Sequence, residues 1–109
     1  MKIQVRAPQI QWTEALRQHA VRRLQFALSR FSPNISLVTI DIRGVARTRG
    51  ALPTRGICRI TVHLLPEGIV QGEDGQNDLN AAIGLLSERA GRAVQRWLDR
   101  ERSFRPHWR

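Results

Sequence analysis

The stretch ICRITVHLLPEGIVQGEDGQNDLNAAIGLLSERAGRAVQRWLDRER, residues 57–102, changes its apolar period partway along, and that change decides the fold. In its first part Cys58, Ile60, Val62 and Leu64 alternate with Arg59, Thr61 and His63, which predicts a half-buried strand over 57–65. Pro66-Glu67-Gly68 supplies turn chemistry ahead of a short strand over 69–74. Beyond Gly75 the period lengthens. Leu79, Ile83, Leu86, Ala90, Val94 and Trp97 recur three or four residues apart, one apolar stripe on a helix running to about Arg102. Asn77 or Asp78 is the N-cap, because either carboxamide or carboxylate oxygen can accept from an orphan amide of the first turn.

The N-terminal half shows the same two periods in the opposite order. Ile3, Val5 and Ala7 alternate with Lys2, Gln4 and Arg6 until Pro8 removes a backbone donor, so the chain opens with a strand. Thr13 caps a helix from Glu14 to about Arg30, on which Leu16, Ala20, Leu24, Ala27, Leu28 and Phe31 form one stripe. Ser32-Pro33-Asn34 ends it. A strand over 35–43 follows, with Val38, Ile40 and Ile42 on one face and Thr39, Asp41 and Arg43 on the other. The order β-α-β-β-β-α predicts an α+β fold in which two one-sided helices pack on one face of a four-stranded sheet. The first two strands, joined through a helix, are expected to be parallel with a right-handed crossover. At 109 residues the chain fits one core, expected over residues 1–102, with 103–109 as a basic and aromatic tail.

Charge narrows the partner. Eighteen Lys and Arg against nine Asp and Glu give a net charge of +9, which favours a polyanion. Lys2 is the one lysine, so the basic groups are guanidiniums, whose planar fork pairs bidentately with phosphate and stacks on bases. The single Cys58 excludes an internal disulfide and fits a reducing compartment. The N-terminus lacks the apolar run of a secretory signal, and nothing is long and apolar enough to span a bilayer, so the expected location is cytoplasmic.

Catalytic constellations are scarce. His19, His63 and His107 fall on a helix, a strand and the tail without ligand spacing, and each reads as a polar surface residue. Glu73, Asp74 and Asp78 form the one acidic cluster, better read as a strand end plus a helix cap than as an acid/base pair. The expectation is therefore no enzyme, no metal, no cofactor and no small-molecule substrate.

The arginines, in contrast, are ordered. Arg89, Arg92, Arg96 and Arg100 are spaced 3, 4 and 4, which at about 100° per residue puts them in one stripe beside the apolar face. Like charges at that spacing repel by about 0.2–0.5 kcal/mol per pair, and Glu88 and Asp99 fall off the stripe. A phosphate partner explains the arrangement; a solvated basic face is the plainer alternative. On the first helix His19, Arg23, Phe26 and Arg30 share a second stripe, with Arg22 beside it, and Phe26 reads slightly better as a core edge than as a stacking platform. From Arg43 to Arg59 there are five arginines and no acid, a basic loop in which Arg47, Arg49 and Arg55 are further candidates for RNA contact.

The residues then resemble a known family, that of the ribosome hibernation promoting factors and ribosome-associated translation inhibitors. Ile10 to Phe31, with Thr13-Glu14-Ala15-Leu16-Arg17 opening the first helix, carries part of the likeness, and Asp78-Leu79-Asn80-Ala81-Ala82-Ile83 with the following arginines carries the more specific part. Asn80 stands where the family usually has an aromatic residue, and Gly84 where it usually has an acid. The resemblance implies a fold similar to the double-stranded RNA-binding domain and a chain that occupies the decoding region of the small ribosomal subunit, silencing idle ribosomes. It also implies that Arg23, Arg89, Arg92 and Arg96 face ribosomal RNA, and that the chain is a short form without a dimerising second domain.

Two function classes thus remain at the level of sequence: a ribosome-inactivating factor and a general structured-RNA-binding or RNA-chaperone module outside the ribosome. Titration against small subunits and against a generic RNA duplex discriminates them. Both require phosphate neutralisation. If about five to eight phosphates are engaged, the log-log slope of affinity against salt is expected near −4 to −7, and a slope near zero contradicts an arginine-to-phosphate mechanism.

Overall fold

A computed structural model describes residues 1–6, 14–44, 56–75 and 78–104. It has the expected order: β1 (Lys2–Arg6), α1 (Glu14–Leu28), a 3-10 helix (Ser29–Asn34), β2 (Ile35–Gly44), β3 (Gly56–Leu64), β4 (Ile69–Asp74) and α2 (Leu79–Phe104). The four strands form one sheet in the order β1-β2-β3-β4, with β1 parallel to β2 and the other pairs antiparallel.

Register follows from which side chains must be buried. Ile3, Val38, Val62 and Val70 stand in one row across the sheet, and Val5, Ile40, Ile60 and Gly72 in the next. Both helices lie on the face these rows present, where they share a single core with Ala20, Leu24 and Leu28 of α1 and Leu79, Ile83, Leu86 and Val94 of α2. A slip of one residue would turn every one of those strand side chains to the other face. The opposite face is polar, with rows Gln4-Thr39-Thr61-Gln71 and Arg6-Asp41-Arg59-Glu73.

Strand ends shift by one residue, β2 reaching Gly44 and β3 covering Gly56–Leu64, and both helices end elsewhere than the sequence predicts. Helix α1 stops at Leu28 rather than Arg30, and Ser29–Asn34 tightens into a 3-10 helix that contains Pro33. Proline has no N–H and its ring opposes the carbonyl four residues back, so an α-helix cannot run through it. Phe31 stays buried on the tighter turn, and the Arg30 guanidinium lies 4.5 Å from its ring centroid. Helix α2 runs through Ser103 and Phe104, two residues past the expected end; the next helix breaker in the sequence is Pro106. At its start Asp78 is the cap, its Oδ1 accepting from Ala81 N–H at 2.8 Å.

Two glycines set how closely the layers approach. Gly91 faces α1 so tightly that a Cβ would meet the Ala27 carbonyl oxygen at 3.1 Å. Gly68, at φ +153°, closes the β3–β4 turn, its carbonyl accepting from Leu64 N–H at 2.8 Å, and Trp97 of α2 lies directly over it. A Cβ there would come within 2.7 Å of the indole. Gly68→Ala therefore meets both a backbone conformation that L-residues avoid and a rigid ring. It is expected to destabilise the fold by about 1–3 kcal/mol, read as a drop in melting temperature of several degrees. An unchanged melting temperature would mean that Trp97 does not sit on this turn.

Candidate nucleic-acid interface

Helix α2 has three working faces, assigned by side-chain size. Its apolar stripe enters the core. One flank is small or neutral where it meets α1, through Asn80, Gly84 and Gly91. The other flank, bordering β4, carries Arg89, Arg92 and Arg96, followed by Arg100. These four arginines have no ion pair among the described residues.

Between this flank and β4 runs a groove of about 380 Å³ with Val70, Gly72, Leu86, Ala90 and Ala93 in its walls and Arg89, Arg92 and Arg96 at its rim. It continues past Arg96 toward Asp99 and Arg100. The groove stays open because its walls are short: Gly72 has no side chain, and a Cβ on it would reach Leu86 Cδ2 at 3.4 Å. Asp99, expected off the stripe, lines this lower part of the groove, where its Oδ1 accepts from Gln95 Nε2 at 3.1 Å.

The first-helix candidates divide. His19 and Arg23 turn toward α2: His19 Nε2 lies 3.4 Å from Asn80 O, and Arg23 Nη2 donates to Gly84 O at 3.4 Å and stands 3.7 Å from Glu88 Oε1. The Arg23 Nε is buried without a hydrogen-bond partner among the described residues. Gly84 lies against this guanidinium, and a Cβ on it would be in ordinary van der Waals contact with Arg23 Nη2 at 3.4 Å. Arg23 thus spans the helix–helix seam while over a third of its side chain remains exposed. Arg22 and Arg30 are exposed. Phe26 is 85% exposed, which corrects its reading as a core edge. Two residues along a helix turn a side chain by about 200°, so Phe26 points away from the face that Leu24 buries. Arg47, Arg49 and Arg55 lie outside the described residues, as do Thr13, Asn77 and the 105–109 part of the tail.

The outer sheet face is basic on paper but compensated in space. Arg59 makes two bonds to Glu73 Oε2, from Nε at 2.9 Å and from Nη2 at 2.7 Å, and Asp41 is its register partner on the other side. Gln71 donates to Thr61 Oγ1 beside it. The acidic cluster accordingly dissolves into separate structural roles, Glu73 on Arg59 and Asp78 on the helix cap. Cys58 offers no nucleophile at neutral pH: burial first, then the nearby Asp74 and Asp41 charges, push its thiol from 9.0 up to about 12. No helix among the described residues is long and apolar enough to cross a membrane.

Sequence reasoning put the four α2 arginines on one stripe, where the helix has them, but missed the groove beside them. Val70, Gly72 and Ala93 lie on two elements, and no spacing rule links them.

Known proteins were compared with this geometry. The crystal structure of the Thermus thermophilus Protein Y N-terminal domain is similar with a TM-score of 0.70 and 22% identity, covering 89% of this chain and 99% of that one. A ribosomal subunit interface protein from Coxiella burnetii is similar with a TM-score of 0.70 and 18% identity, covering 91% of this chain and 99% of that one. At such identities these likenesses establish the fold. A comparison with curated protein sequences finds no significant match. The sequence model of the Sigma 54 modulation protein / S30EA ribosomal protein family matches residues 3–102, nearly the whole chain, and the protein belongs to that ribosome-associated family.

Proposed function

We propose that this chain is a non-catalytic factor that occupies the decoding region of the small ribosomal subunit and inhibits translation in idle ribosomes. The observation that carries the reading is the contrast between two basic surfaces. On the sheet Arg59 is neutralised by Glu73, whereas Arg89, Arg92, Arg96 and Arg100 line one flank of α2 without ion pairs among the described residues. Four adjacent guanidiniums suit phosphates spaced along an RNA backbone. Membership of a ribosome-associated family supplies the class of RNA, and the name of the Coxiella relative places that protein at a subunit interface.

In this reading residues 1–102 act as one ribosome-binding unit in the cytoplasm. Arg89, Arg92, Arg96 and Arg100 neutralise phosphates of ribosomal RNA, Arg22 and Arg30 extend the basic surface, and Arg23 and His19 fix α1 against α2 while their outward atoms meet the same RNA. Arg47, Arg49 and Arg55 contribute from the β2–β3 connection. Inhibition follows from occupancy: a folded domain in the channel excludes messenger and transfer RNA with no bond made or broken.

Replacing Arg89, Arg92 and Arg96 together by alanine tests this reading, because alanine favours the helix and the apolar stripe of α2 is untouched. The variant is expected to melt at or slightly above the parent's temperature, since each relieved like-charge pair returns about 0.2–0.5 kcal/mol. Small-subunit affinity is expected to fall about a hundredfold or more, at roughly 1–2 kcal/mol per guanidinium–phosphate contact, with inhibition in a cell-free extract falling in parallel. A folded variant that binds and inhibits like the parent removes the stripe from the mechanism.

A further inference from the structure

The α2–β4 groove holds more than a row of charges needs. Phosphate neutralisation asks only for exposed guanidiniums, yet between these arginines and the edge strand lies a recess of about 380 Å³ with an aliphatic floor of Val70, Leu86, Ala90 and Ala93. Clefts of about 300 Å³ and above hold small planar ligands. Recess and rim belong to one site: Arg89, Arg92 and Arg96 line the same cavity as those apolar side chains.

We infer that this groove takes one unstacked nucleobase of an RNA strand, with its flanking phosphates on Arg89, Arg92 and Arg96. The inference rests on the proposed RNA-binding function and deepens it, from backbone contact to capture of a single base. Three features select that occupant. The rim is cationic without ion pairs among the described residues, which favours a polyanion over an apolar peptide. Val70, Leu86, Ala90 and Ala93 give the recess an aliphatic lining, and a base face loses water against it as it does against other apolar surfaces. In addition, β4 is an edge strand, so peptide groups on its free side are placed to pair with the edge of a base. A base held inside a duplex cannot reach this floor, so the site selects unpaired nucleotides.

The test uses the full chain and two single-stranded probes of equal charge, octauridylate and an eight-unit abasic ribose-phosphate strand, with small-subunit binding measured on the same preparations. The parent is expected to bind octauridylate about tenfold more tightly than the abasic strand. Ala93→Leu, which fills the groove and leaves every arginine, is expected to abolish that preference while keeping its affinity for the abasic strand, which also reports that it is folded. Independently of any variant, photocrosslinks from 4-thiouridine in the octamer are expected on residues 70–72 and 89–96. Equal binding of the two probes by the parent overturns the inference, as do crosslinks that map elsewhere or a preference that survives in folded Ala93→Leu. In those outcomes intact subunit binding leaves the ribosomal reading standing. Loss of binding to both probes and to the subunit would instead remove that reading and the inference together.

Discussion

Everything in this molecule depends on how α2 is seated on the sheet. Ile83, Leu86 and Val94 are buried to within a few per cent, and full burial of such side chains contributes about 1.5–3 kcal/mol each. The like-charge pairs along the Arg89–Arg100 flank oppose this by only about 0.2–0.5 kcal/mol each. Burial wins by a wide margin, so the helix can hold a line of cations, without ion pairs among the described residues, beside its buried stripe and keep its position. The same seating brings Trp97 over Gly68 and Gly91 against Ala27, which fixes the turn beyond β3 and the spacing to α1. The open groove beside β4 is what remains where the side chains between helix and edge strand are too short to meet.

The fold was legible in the sequence because its periods are clean. Alternation at Cys58 to Leu64 and at Val38 to Ile42 marked strands whose inward faces are the buried ones, and the stripe from Leu79 to Val94 marked α2. Where legibility failed, a local rule met a non-local fact or a competing local one. Extending α1 to Arg30 followed the apolar stripe to Phe31; Pro33 prevailed, and the 3-10 helix kept Phe31 buried by another route. Phe26 was placed by its angle on the basic stripe, outside the apolar one, but its hydrophobic side chain was weighed as a core edge all the same. Arg23 and Glu88 are 65 positions apart, so their pairing across the helix seam could not be read from spacing. The α2 arginine row is local and was found; the groove it borders is tertiary and was not.

Charge alone does not choose the functional surface, because arginines occur on both sides of the molecule. Compensation distinguishes the two sides. Across the outer sheet face Arg6, Asp41, Arg59 and Glu73 alternate in sign along one row of the ladder, and a ligand phosphate would have to displace the Arg59–Glu73 pair to bind there. On the α2 flank the described residues form no such pair for an incoming backbone to displace. The proposed function is thus directional: in it the α2–β4 side meets ribosomal RNA and the open sheet face does not.

Because Cys58 is buried with its thiol pushed up to about 12, a surface cysteine can be labelled selectively, and directed cleavage tests that direction. An iron–EDTA group is tethered at half-buried Leu85→Cys, one helical turn before Arg89, or at half-buried Leu37→Cys, which pairs with Lys2 and His63 on the open sheet face, and each conjugate is bound to small subunits. If the α2 flank faces the RNA, strong hydroxyl-radical cleavage of ribosomal RNA, centred on the decoding region, is expected from position 85 and little from position 37. Cleavage of that region from position 37, with none from position 85, would contradict it.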